Sequence, residues 1–236
     1  MLFAVEGRFV LSAWLIFFAM VADTVDGALA RMTRTSSRFG IELDSLADVV
    51  SFGVAPAFVV TLRFHLLEHP YWLFPLFYAA CGALRLARFN TTARETILPG
   101  DESAYYFRGT PIPAPAAVLL GLILLSDRPG VVIPRPAMVL LLFLLGYLAI
   151  SNVKYPSSKW LLDPRRPKPF RLVVIVLLTS LLLATYFVET WIFLTLVYYL
   201  SGPIGGLLRR EETSPEEILP SVVKGREEPQ DRRREE

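Results

Sequence analysis

Apolar residues recur along this chain in long runs separated by short polar stretches, from residue 9 to about residue 208. A helix needs about 17–25 apolar residues to cross roughly 30 Å of hydrocarbon. The runs at about 9–30, 39–62, 70–88, 112–127, 131–151, 170–187 and 190–208 meet or approach that length. The pattern predicts an all-α fold, a polytopic transmembrane helix bundle of about seven spans. The run at 112–127 is short and proline-rich, while Pro134 and Pro136 fall at the start of the next one, where a helix tolerates proline best. Two regions are expected: a transmembrane domain over 1–208, and a mixed-charge tail over 209–236 that lacks aromatics and is expected to be disordered. No internal repeat interrupts this division.

Composition sharpens the reading. Of the 236 residues, 53% are hydrophobic and 19% are charged, with much of the charge in the tail. A soluble domain carries about a quarter charged residues, so the chain is matched to a lipid solvent. A net charge of +2 gives no case for nucleic acid. Two histidines and the single cysteine, Cys81, exclude a disulfide framework and a Cys/His zinc cluster. Cys81 reads as a small packing residue. The first apolar run leads into acidic residues instead of a cleavage site, so it does not read as a signal peptide.

The distribution of positive charge orients the spans. Arg31, Arg34 and Arg38 follow the first run. Arg85, Arg88, Arg94 and Arg108 lie around the third-to-fourth connection, and Lys154, Lys159, Arg165, Arg166, Lys168 and Arg171 around the fifth-to-sixth. The alternate loops carry far fewer. All the basic loops fall on one side, expected to be the cytoplasm, as does the tail. An odd number of spans then puts the N-terminus outside, after about eight residues. The expectation that resolves this oddity is a further helix ahead of Met1.

Four carboxylates stand out against this background. Asp23, Asp26, Asp44 and Asp48 lie at the cytoplasmic ends of the first two spans. At 3.6 residues per turn, Asp23, Asp26, Gly27, Ala30 and Arg31 share one helix face, and Gly40, Asp44 and Asp48 share another. A short antiparallel connection would bring the two stripes together. Ionisable groups at membrane depth demand a partner or a polar cavity, and clustered aspartates repel unless cations neutralise them. Oxygen-only ligands suit Mg²⁺, Mn²⁺ or Ca²⁺. Gly27, Ala30 and Gly40 have no bulk, so a flat group can approach the backbone between the aspartates, and Arg31 and Arg38 can meet phosphate charge. The competing reading makes these residues caps, surface ion-pair partners and packing positions. That reading weakens when all four acids converge.

Asp23-x2-Asp26-Gly27-x2-Ala30-Arg31-x8-Gly40-x3-Asp44-x3-Asp48 resembles the signature of the CDP-alcohol phosphotransferases at every fixed position, eight residues over 26. The resemblance implies a transmembrane bundle with its active site open to the cytoplasmic interface. It makes Asp23, Asp26, Asp44 and Asp48 the ligands of Mg²⁺ or Mn²⁺, and Asp48 also the proton acceptor. Gly27, Ala30, Arg31, Ser37 and Gly40 would line the CDP pocket. A homodimer is expected on the same ground.

Further stretches bear on the acceptor alcohol. DSLADVVSFGVAPA (44–57), ALRLARFN (83–90), GTPIPAPAA (109–117) and SNVKYPSSK (151–159) resemble the membrane-embedded, serine-using branch of that family. The resemblance runs from about residue 5 to 159. It implies CDP-diacylglycerol and L-serine as substrates, within the membrane lipids of a multi-pass protein of the cytoplasmic membrane. Serine brings a carboxylate, and Arg85 and Arg88, three apart on one helix face, are candidate partners for that carboxylate or for a lipid phosphate. Asn90 and Lys154 are the further candidates for acceptor or lipid-phosphate binding. The rival reading of these cations is simple obedience to the loop-charge rule. Members of this branch begin with one more helix, which bears a Pro-Asn pair beside the nucleotide, and Met1–Phe9 resembles the loop after it. The readings set against serine transfer are glycerol 3-phosphate or an inositol phosphate as acceptor, an ether-lipid substrate, an inactive or truncated relative, and a cation transporter.

Overall fold

The computed structural model describes residues 1–33, 37–68, 70–93, 106–156, 179, 182–183 and 185–212. A one-turn helix, α1 (Leu2–Val5), stops at Gly7, whose φ of 75° suits a residue without a Cβ. The first long apolar run then forms α2 (Phe9–Thr33). Ser37 opens the next helix as its N-cap, its hydroxyl accepting from the Gly40 amide at 3.0 Å. That helix is continuous but not uniform: α3 (Arg38–Asp48) passes into a π-helical segment (Val49–Val54) and on into α4 (Ala55–Arg63). There follow α5 (Leu73–Ala93), β1 (Tyr106–Arg108), α6 (Pro113–Ser126), α7 (Arg135–Ile150), β2 (Lys154–Pro156) and α8 (Phe187–Glu212). Prolines sit in the first turns of α6 and α7, where a missing N–H costs no helical bond, and Pro56 sits where the π segment passes into α4.

The helices bury a main apolar core and a smaller cluster of Phe52, Leu86, Ile112 and Ala116. Ala13 and Ile16 of α2, Val59 and Val60 of α4, Leu119, Leu120 and Ile123 of α6, and Met138 and Leu142 of α7 are within the main core. Helix α5 lies along α7, and α6 sits between α2 and α8. Small residues set these approaches. A Cβ at Gly146 would stand 2.9 Å from the Phe77 ring, and one at Gly121 would stand 2.9 Å from Ile192. The Trp191 indole donates to the Ala117 carbonyl at 2.8 Å, fixing α8 on α6. At the end far from the aspartates, Arg63 donates to the Ser126 carbonyl at 2.6 Å, Arg135 pairs with Glu68, and Arg128 pairs with Glu189.

The exterior is apolar. Leu15 and Phe18 of α2, Leu76 and Leu84 of α5, Leu140 and Phe143 of α7, and Phe193 and Leu196 of α8 all face outward. A continuous surface of this kind aggregates in water and is solvated in lipid, so this is the outside of a membrane protein. Among the described residues, Phe9–Leu29 and Phe39–Arg63 are long and apolar enough to cross a bilayer, and Pro113–Ser126, Arg135–Ile150 and Phe187–Gly202 are shorter apolar helices.

The runs expected at 9–30, 39–62, 70–88, 112–127 and 131–151 each correspond to a helix. The run at 170–187 falls almost wholly outside the described residues, as does the tail beyond 212. The last helix differs from expectation at both ends: it starts at Phe187 and continues to Glu212. Glu189 favours the early start, an acid in the first turn that also meets Arg128. The bundle also carries a small element the periodicity did not show, an antiparallel ribbon of β1 and β2 in which Phe107 opposes Tyr155.

Gly109 joins that ribbon to the bundle. Its amide donates to the Val153 carbonyl at 2.9 Å, its φ is 75°, and a Cβ there would lie 2.3 Å from the Ala149 carbonyl oxygen. Gly109→Ala is therefore expected to destabilise the protein by at least about 2 kcal/mol, from backbone strain and the clash together. A thermal unfolding comparison in detergent checks this, and an unchanged midpoint would contradict it.

Candidate active site

Helix α2 delivers Asp23, and α3 delivers Asp44 and Asp48 from successive turns. The three carboxylates each offer an oxygen, and these oxygens all lie within 4.8 Å of one another. Asp23 and Asp48 are partly buried while Asp44 is exposed. The Asp23 and Asp48 carboxyls are close enough to act directly on one another. Two carboxylates that close need a shared proton or a cation between them. The donor set is all oxygen, compact and anionic, which fits a hard divalent cation and does not suit a soft one.

Asp26, one turn beyond Asp23, is exposed and stands outside this group of three, though near enough to act on Asp23 electrostatically. Beyond the aspartates α2 and α3 do not pack closely on one another, and the main contact of α3 is with the π segment. Of the residues expected to line the nucleotide pocket, Gly27 is partly buried and Gly40 is exposed. The Ser37 hydroxyl is engaged as the cap of α3. The side chains of Ala30, Arg31 and Lys154 lie outside the described residues.

Arg85 is the buried cation of the site. It is 7% exposed, its guanidinium lies 5.2 Å from the centre of the Phe89 ring, and it is near enough to Asp48 and Tyr198 to act on both electrostatically. It makes no hydrogen bond or ion pair with a described residue. The other acceptor candidates are occupied differently. Arg88 donates to Asn152 Oδ1 at 2.7 Å and to the Ile150 carbonyl at 3.3 Å, tying α5 to the exit of α7. Asn90 donates to Ser45 Oγ at 2.9 Å, tying α5 to α3 beside Asp44. These two act as struts between helices. Tyr198, beside Arg85, was not singled out from the sequence; its signal is a pair of adjacent tyrosines, Tyr198 and Tyr199, within an apolar run.

The π segment begins directly after Asp48 and closes with the Ala55 amide donating to the Val50 carbonyl. The Tyr78 hydroxyl donates to the Phe52 carbonyl at 2.9 Å, satisfying an acceptor within it. Gly53 and Gly82 let α5 cross this segment closely. Such π turns occur often at functional sites.

Comparison with known proteins agrees with this geometry. The family model for CDP-alcohol phosphatidyltransferase matches residues 1–145. A Helicobacter pylori protein named CDP-diacylglycerol–serine O-phosphatidyltransferase is 39% identical over 164 residues, which are 66% of this chain and 65% of that one. A Methanocaldococcus jannaschii protein of the same name is 35% identical over 191 residues, 80% of this chain and 81% of its own. A Saccharomyces cerevisiae protein, again of that name, is 43% identical over 117 residues, 45% of this chain and 39% of its own. The chain thus spans just under two thirds of the Helicobacter protein's length. The matched region contains both helices that bring the carboxylates together, and on that basis the chain belongs to the CDP-alcohol phosphatidyltransferase family.

Proposed function

We propose that this protein transfers the phosphatidyl group of CDP-diacylglycerol to the hydroxyl of L-serine, giving phosphatidylserine and CMP. The observation that carries the reading is a buried guanidinium, Arg85, which has no hydrogen bond or ion pair with a described residue and lies within electrostatic reach of Asp48 in a cluster of three carboxylates. The carboxylates suit a diphosphate chelated through a cation, and the guanidinium suits the carboxylate of an amino-acid acceptor. The names borne by relatives at 35–43% identity support serine as that acceptor.

In this mechanism the CDP moiety enters the opening between α2 and α3, where Gly27, Ala30, Arg31, Ser37 and Gly40 border it. Asp23, Asp44 and Asp48, with Asp26 at the edge, hold Mg²⁺ or Mn²⁺, which offsets the charge of the diphosphate and of the departing CMP. Arg85 orients serine by its carboxylate. Asp48 accepts the hydroxyl proton as the serine oxygen attacks the lipid phosphorus. The bond from that phosphorus to the CMP oxygen breaks, and the electron pair leaves with CMP. The charge of the basic loops supports a cytoplasmic position for this end of a multi-pass bundle.

The test is CMP release by the purified full chain in detergent, with CDP-diacylglycerol and Mg²⁺ or Mn²⁺, in the presence of L-serine, glycerol 3-phosphate or an inositol phosphate. Release that requires serine is the expected result. Release with another alcohol alone would overturn the acceptor, and metal flux in vesicles without any CMP would overturn the reaction. In the same assay Arg85→Gln is expected to raise the KM for serine by about 10- to 100-fold, the loss of one or two charge-assisted bonds, with the KM for CDP-diacylglycerol little changed.

A further inference from the structure

Close to Arg85 the interior contains a group of hydroxyls that bond to none of the described residues. Thr110 and Tyr155 are fully buried, and Tyr199 has a buried hydroxyl. None of the three has a hydrogen-bond partner among the described residues. The Tyr199 hydroxyl lies beside that of Thr110, close enough to interact but outside hydrogen-bonding geometry. Buried polar groups are almost always satisfied, and several unsatisfied together point to a water or a polar ligand.

The fold assembles this group deliberately from distant parts of the chain. The β-ribbon supplies two members, Tyr155 from β2 and Thr110 just after Gly109, and α8 supplies Tyr199. The Tyr155 ring stacks on Tyr198 at 5.5 Å and meets Tyr199 edge-on at 6.2 Å. Gly202 makes room for it, since a Cβ there would stand 2.5 Å from the ring. Tyr198, stacked on Tyr155, is near enough to Arg85 to act on it electrostatically, as Asp48 is. The hydroxyl group is therefore one side chain removed from the cation assigned to the acceptor's carboxylate.

An amino acid held by its carboxylate at Arg85 and its hydroxyl at Asp48 still has an ammonium to place. A second cation there would repel it. Neutral oxygens that accept hydrogen bonds suit its three donors. We propose that Thr110, Tyr155 and Tyr199 form a hydroxyl-lined subsite that receives the ammonium group of the acceptor. The inference rests on the serine reading above and extends it. The rival occupant is lipid, because the Tyr199 ring also lines an apolar cavity of about 440 Å³ between α6, α7 and α8.

The experiment uses Tyr155→Phe, Tyr199→Phe and Thr110→Val in the full chain, each removing a hydroxyl while keeping the shape. For each variant that retains its thermal midpoint, three quantities are measured: the KM for L-serine, the KM for CDP-diacylglycerol, and the Ki of 3-hydroxypropanoate, which is serine without its ammonium. Removing one hydroxyl is expected to raise the serine KM about tenfold, the loss of one bond to a charged group. The other two constants should stay within about twofold. Should Thr110→Val fail to fold, Thr110→Ser, which keeps the hydroxyl, is expected to retain the wild-type serine KM, and the tyrosine variants carry the test.

An unchanged serine KM would overturn the subsite and leave the hydroxyls to an ordered water. A Ki that rises in step with the KM would exclude a role specific to the ammonium. A rise in the CDP-diacylglycerol KM alone would assign the hydroxyls to lipid. Wild-type protein that uses another alcohol and not serine would sink this inference together with the serine reading. Serine-dependent release with unaffected variants would sink the subsite alone.

Discussion

Replacing Asp48 by asparagine is expected to lower serine-dependent CMP release by about 10³-fold, with the thermal midpoint of the protein retained. Asparagine has nearly the same shape, so the junction between α3 and the π segment should persist. It cannot accept the serine proton, and it removes one of three anionic oxygen donors lying within 4.8 Å of each other. Both losses act on the same step, which is why the effect should exceed that of losing a general base alone. Asp26→Asn provides the internal comparison. Because Asp26 is exposed and stands outside the compact group, its replacement should cost clearly less. Full transfer activity in the Asp48→Asn protein would show that the proton goes elsewhere.

Chelation is the second large effect. Treatment with EDTA should reduce CMP release to background, and Mg²⁺ or Mn²⁺ should restore it. A readout free of turnover comes from stability: a cation that binds only the folded chain raises the unfolding midpoint, by about 2.7 kcal/mol at a hundred times its dissociation constant. That stabilisation should vanish in Asp23→Asn and Asp44→Asn, whose carboxylates lie on opposite helices of the cluster. Undiminished activity in a chelated sample would remove the cation from the mechanism.

Much of the bundle could be read from the chain because a helix in lipid must be apolar along its length, so the runs and the helices nearly coincide. The aspartate stripes were equally legible, since i, i+3 and i, i+4 spacing is a local property. Whether Asp26 joins Asp23 is not local. It depends on how α2 and α3 approach one another, and the two pack on each other only sparsely. Arg88 and Asn90 were read as acceptor ligands because their chemistry permits it, yet each is engaged by a residue far along the chain, Asn152 and Ser45. The ribbon was invisible for another reason. Strands of three residues are too short to show alternation, and the partners are joined only by tertiary contact. The hydroxyl group beside Arg85 draws on residues 110, 155 and 199, and no sequence window holds them together.

The π segment after Asp48 has a consequence for how this site can change over time. A π turn is an α-helix with one residue added, and each residue of an α-helix turns the chain by about 100°. Asp44 and Asp48 lie on one side of it, and the core residues Val59 and Val60 lie on the other. Losing one residue between them would leave every side chain chemically intact and swing the carboxylates about a quarter-turn away from Asp23. In this stretch the count of residues is itself a functional property. Substitutions here can be absorbed one at a time, whereas an insertion or deletion disconnects the catalytic face from the part of the helix that anchors it.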